Sequence, residues 1–138
     1  MCGIFGIISD LTVEKKELKM LSRFAKRRGK DASGVIFSDD EQYQVHRSDY
    51  DILSFIKKIK WANTNCFFGH SRLMTNDNNS HQPLVKNNIA VLHNGIIVND
   101  KQLFQSLKLK QTTSLDTEII LSLAEKMIHS ESDFNDFS

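Results

Sequence analysis

Two strand patterns, residues 35–38 and 43–47, lie around the turn Asp39-Asp40-Glu41. No crossover fits into so short a connection, so the two segments read as direct neighbours in a sheet. That adjacency points away from a regular parallel array of alternating strands and helices and toward a mixed one. The rest of the chain agrees with it. Residues 3–8 read as a short buried strand. Residues 13–27 read as a helix, with Leu18, Leu21, Phe24 and Ala25 at helical spacing. Gly29 to Gly34 reads as a loop, residues 50–59 as a short amphipathic helix, and Cys66–Ser71 and Ile89–His93 as buried strands. A small helix is expected over 100–108. The clearest helix starts after Thr113 or Ser114 and runs to about Ile128. Mixed helices and strands with sequence-adjacent strand pairs predict an α+β fold.

Charge and cysteine content narrow the function classes. The 18 basic and 17 acidic residues leave a net charge of +1, so no bulk field favours nucleic acid. The basic run Lys26-Arg27-Arg28 reads as a solvated helix end. No apolar stretch approaches the roughly 20 residues that span a bilayer. The opening run Ile4–Ile8 lacks a basic leader and is too short for a secretory signal. Cys2 and Cys66 form no CxxC pair, which makes a reducing cytoplasm the expected compartment. The single proline, Pro83, and the lack of a Gly/Ser linker predict one domain over 1–138. The 5 histidines show no paired ligand spacing, so no metal site is expected.

The second residue carries the first chemical signal. Removal of the initiator methionine leaves Cys2 with a free α-amine, so one residue supplies a thiol nucleophile and a base with a pKa of about 7.7–8.0. Alone, a cysteine in a first strand is more often a buried core residue. Four further segments change that balance: Arg28-Gly29-Lys30-Asp31-Ala32-Ser33-Gly34, Gly69-His70-Ser71-Arg72-Leu73-Met74-Thr75, His93-Asn94-Gly95-Ile96-Ile97 and Leu115-Asp116-Thr117-Glu118. Together with Met1-Cys2-Gly3-Ile4-Phe5-Gly6-Ile7, and in this order, they resemble the class II glutamine amidotransferases. These are N-terminal-nucleophile hydrolases that release ammonia from glutamine.

The resemblance implies a four-layer αββα sandwich and assigns roles residue by residue. Cys2 would be nucleophile and base, and Asn94 with Gly95 would bind the oxyanion. Arg72 would hold the α-carboxylate of glutamine, Thr75 would donate a hydroxyl beside it, and Asp116 would hold the α-amine. Arg28, Asp31 and Gly34 match a supporting loop near the nucleophile. The residue types suit these roles, since a guanidinium presents a planar fork to a carboxylate. On residues alone, Asn94-Gly95 also reads as a hairpin turn, and Asp116 as a helix-start partner in Thr113-x-x-Asp116. No metal or organic cofactor is implied. The implied partners are L-glutamine and a synthase or isomerase domain or subunit that receives ammonia. Two branches remain open, because Ser80-His81-Gln82-Pro83-Leu84 is closer to asparagine synthetases and His93–Ile97 to sugar-phosphate aminotransferases. The acceptor is therefore a sugar phosphate or, in the alternative, aspartate. A non-catalytic glutamine-sensing or scaffold module with the same fold is the competing reading. Family domains continue well beyond the helix that follows Asp116, so the sandwich is expected to be incomplete at its C-terminus.

Overall fold

The computed structural model describes residues 2–39, 42–61, 63–73 and 81–135, the last seven by their backbone alone. Two compact units divide the chain: Met1–Pro83 with Leu92–Gly95, and Leu84–Val91 with Ile96–Ser138.

The first unit is a four-stranded antiparallel sheet with helices on one face. Its elements are β1 (Gly3–Ile8), α1 (Lys15–Lys26), β2 (Ala32–Asp39), β3 (Gln42–Ser48), α2 (Ile52–Lys58) and β4 (Cys66–Arg72). The sheet order is β1-β4-β2-β3. The expected neighbours are paired, with Val35 opposite His46 and Ser38 opposite Tyr43. Strand alternation sends Val35, Phe37 and Phe67 to one face, where Leu18 and Ala25 of α1 and Ile52, Phe55 and Ile56 of α2 join them. Phe37 and Phe67 stack with centroids 5.4 Å apart.

Local chemistry explains both helices. Glu14 caps α1 in a reciprocal box with Glu17, whose carboxylate accepts the Glu14 N–H at 3.1 Å. The buried stripe of α1 is Leu18, Ser22 and Ala25. Phe24, expected on that stripe, is instead exposed with the Arg27 guanidinium over its ring, because a serine rather than the aromatic occupies the position facing the sheet. Asp51 caps α2 through the Leu53 and Ser54 N–H groups and pairs with Lys26 at 2.9 Å. Burial pushes its carboxyl upward, but the bonds from Lys26 and Ser54 outweigh this and bring the pKa down to about 2.

The second unit contains β5 (Leu84–Lys86), β6 (Ile89–Val91), α3 (Asp100–Ser106) and α4 (Glu118–Asn135). Asn87 and Asn88 take the left-handed conformation, with φ of 46° and 63°, and close a two-residue antiparallel hairpin. Leu84, Leu115 and Leu121 form its core with Ile89 and Val91. The Glu118 carboxylate accepts the N–H and hydroxyl groups of both Thr112 and Thr113, at 2.6–2.8 Å.

Several element bounds differ from the sequence reading, the last helix among them, which starts at Glu118 and continues to Asn135 rather than ending near Ile128. β2 begins at Ala32, inside the stretch read as a loop, because Ala32 and Ser33 already pair with Arg72 and Ser71. β6 stops at Val91, short of His93. β5, too short to show a period, was not anticipated. Among the described residues, no helix is long and apolar enough to cross a membrane.

Candidate active site

Cys2 lies half-buried immediately before β1. In the β1–β4 pairing Gly3 sits opposite Ser71, so one step further along the ladder Cys2 and Arg72 reach the same end of the sheet. Arg28, just past α1, donates from Nε to the Cys2 carbonyl at 3.2 Å. The loop after α1 is laid against the end of β4: the Asp31 N–H donates to the Arg72 carbonyl at 2.9 Å, and the Ser71 hydroxyl donates to the Gly29 carbonyl. Gly29 permits this approach, since a Cβ there would overlap the Arg72 backbone. Arg28, Asp31, Arg72 and Cys2 are thus gathered at one end of one sheet.

Gly34, read from the sequence as part of that loop, has a different job. It sits within β2, opposite His70 and Arg47. A Cβ on it would overlap the Gln82 carbonyl oxygen. The segment 81–83, which crosses a cis Gln82–Pro83 bond, is held there from two sides. Arg47 donates to the Pro83 carbonyl from Nε at 2.9 Å and from Nη2 at 2.5 Å; burial lowers the guanidinium's pKa from its ordinary value. His81 meets Asp49 at 2.7 Å.

Asn94 and Gly95 belong to the same unit as Cys2 and are exposed. Their neighbour His93 donates its N–H to the buried Gln82 Oε1 at 2.5 Å. His70, on β4, is 1% exposed, and its Nε2 has no hydrogen-bond partner among the described residues. Burial and the neighbouring Arg72 charge lower its pKa to about 4, against a hydrogen bond to the His93 main chain. The imidazole is therefore neutral at pH 7.

Asp116 lies in the second unit, two residues before α4. Its Oδ2 accepts the Ile97 N–H at 2.6 Å. The Thr113-to-Asp116 contact expected of a helix-start partner is replaced, since Thr113 bonds Glu118. Thr75 lies outside the described residues. Gln82, Arg47 and His70 were not singled out for the site, although a glutamine beside the chain's one proline was available as a signal. Among the described residues, no group of three His, Cys, Asp or Glu side chains could hold a metal.

The fold and its likeness to known proteins define a glutamine amidotransferase domain of the N-terminal-nucleophile class, and a family model described as "Glutamine amidotransferase domain" matches residues 70–136. The chain is 34% identical to the isomerizing glutamine–fructose-6-phosphate aminotransferase of Sulfolobus acidocaldarius, over 93% of its own length and 24% of the relative's. Among solved structures it is similar to an allosteric regulatory enzyme of purine biosynthesis, with a TM-score of 0.70, 27% identity and coverage of 90% of this chain and 29% of that one. It is also similar to glutamine phosphoribosylpyrophosphate amidotransferase from B. subtilis, with a TM-score of 0.64, 27% identity and coverage of 87% and 28%. The chain belongs to the glutamine amidotransferase family, and it spans about a quarter of the length of the curated relatives it matches.

Proposed function

We propose that this domain carries out the glutaminase half-reaction, with Cys2 as its nucleophile. Once Met1 is removed, the α-amine of Cys2 takes the thiol proton and the sulfur attacks the side-chain amide carbon of glutamine. A C–S bond forms, and the carbonyl electrons move onto oxygen. Asn94 and Gly95 receive that oxyanion. As it collapses, the C–N bond breaks and the α-ammonium returns its proton to the departing ammonia. Water then hydrolyses the γ-glutamyl thioester to glutamate and frees the thiol. Arg72, Thr75 and Asp116 hold the non-reacting end of glutamine.

The observation that carries this reading is the shared sheet end of Cys2 and Arg72, with Arg28 fastened to the Cys2 carbonyl. A nucleophile and a carboxylate-binding fork on adjacent strand ends suit a zwitterionic amide substrate. The ammonia goes to an acceptor on a synthase or isomerase domain or subunit. The matched sugar-phosphate aminotransferases favour a sugar phosphate as that acceptor over aspartate. Release of ammonia and glutamate from glutamine, compared with a Cys2→Ala variant, tests the assignment. Release is expected from the parent and absent from the variant. Equal release by both, or none by a des-Met parent, would overturn it.

A further inference from the structure

We propose that Gln82 is the positioning residue of the His93-Asn94-Gly95 segment, and that glutamine turnover depends on its side-chain carbonyl. This deepens the reading above and rests on Asn94 and Gly95 being the oxyanion-binding pair.

The segment that carries the pair has lost its ladder, because β6 ends at Val91 and the chain continues without regular pairing. Its main-chain groups must find partners elsewhere. The His93 N–H finds one in Gln82 Oε1, at 2.5 Å. Gln82 is itself 7% exposed, so its amide has been taken out of water for this contact. The residue is also immobilised at its backbone. Its carbonyl rests where Gly34 lacks a side chain, and the next carbonyl, that of Pro83, takes two bonds from Arg47. The result is a continuous rigid path. β2 and β3 fix the Gln82–Pro83 backbone, the Gln82 side chain fixes His93, and Asn94 and Gly95 follow directly. Donors for a developing charge must be held to within about 0.5 Å to be effective. A side-chain carbonyl anchored to the sheet supplies that constraint where no strand does.

The test compares Gln82→Met, of similar length but without the acceptor, with Gln82→Glu, which keeps an acceptor. In the full chain with Met1 removed, Gln82→Met is expected to lower kcat for ammonia release about 10- to 100-fold. Its KM for glutamine should stay within about twofold, since the clamp at the other end is untouched. Gln82→Glu is expected to restore most of kcat. Amide hydrogen exchange at His93 is the second readout: slow in the parent, fast in Gln82→Met. Unchanged kcat in Gln82→Met, equal losses in both variants, or His93 exchange that does not respond would each overturn the proposal. Should Gln82→Met fail to fold, Arg47→Gln, which loosens only the Pro83 carbonyl, is expected to lower kcat and speed His93 exchange. No change in either would overturn it too. A parent that releases no ammonia counts against the glutaminase reading alone, because the exchange comparison still decides the positioning bond.

Discussion

Mild acid is expected to destabilise the first unit through His70. The ring is 1% exposed on β4. Burial first, and then the Arg72 charge, lower its pKa from 6.5 to about 4, with the His93 main-chain bond opposing and the nearby His93 and His81 rings adding. Between pH 6.5 and 4 the unfolded chain therefore holds a proton on this residue that the folded chain does not. Stability must fall as pH falls through that window. With those two values, the loss is about 2 kcal/mol from pH 7 to pH 5 and about 3 kcal/mol by pH 4. The carboxylates of Asp51 and Glu118 are held below their ordinary values, and their contributions disappear mainly below pH 5. The range from pH 7 to 5 thus isolates the imidazole. Because Nε2 is the unpartnered nitrogen, the bond to His93 belongs to Nδ1, and asparagine can replace it without titrating. Urea unfolding of the parent and of His70→Asn at pH 7, 6 and 5 measures the difference. The parent curve should steepen relative to the variant by about 2 kcal/mol over that range. Parallel curves would refute the reasoning and mean that the folded ring takes up its proton as readily as the unfolded one.

Asn94→Ala is expected to lower kcat for glutamine hydrolysis about 10²–10³-fold with little change in KM, because its bond strengthens in the transition state; steady-state kinetics decide this. Arg72→Lys and Asp116→Asn should chiefly raise KM. Lysine loses the fork, while asparagine keeps an acceptor for the Ile97 N–H and loses only the charge; a fall in kcat at constant KM would contradict the clamp. Protein retaining Met1, identified by intact mass, should release no ammonia, since its Cys2 nitrogen is a peptide amide rather than a base. Glu118→Gln should cost about 1–3 kcal/mol in urea unfolding at pH 7, because Glu118 accepts four bonds from Thr112 and Thr113. Burial raises that carboxyl and those bonds more than offset it, leaving the pKa lowered. The carboxylate's contribution is therefore present above the ordinary glutamate value and lost as pH falls through the folded one.

The α+β architecture was legible because its evidence is local. The short connection between β2 and β3 and the alternation of Val35 and Phe37 place these two strands side by side whatever surrounds them. Element ends were less legible, and the reason is tertiary. Ala32 and Ser33 look like a loop flanked by glycines, yet they become strand because the end of β4 offers them partners. Phe24 has the spacing of a core residue but not the direction, and Ser22 takes the inward position that the hydrophobic count assigns to an apolar residue. Leu84–Lys86 has no period to read in three residues. Only the left-handed pair Asn87-Asn88 makes it a hairpin arm.

Site residues divide along the same line. Cys2, Arg72, Asn94, Gly95 and Asp116 stand out in the sequence as candidates because their residue types follow a recognisable order, and the β1–β4 register brings Cys2 and Arg72 to one sheet end. Gln82, Arg47 and His70 act on main-chain atoms instead: Gln82 on the His93 N–H, Arg47 on the Pro83 carbonyl, His70 on the His93 backbone. Any residue can own a main-chain atom, so such contacts leave little trace in composition or spacing. Gly34 is the sharpest case. Its sequence context suggests a turn, but its function is to have no side chain where a carbonyl 48 positions later must lie. The sequence thus announces the groups that would touch glutamine. The groups that would hold them still become visible only when β2 and β3 are seen gripping the Gln82–Pro83 backbone, from which, on our proposal, the segment of Asn94 and Gly95 would take its position.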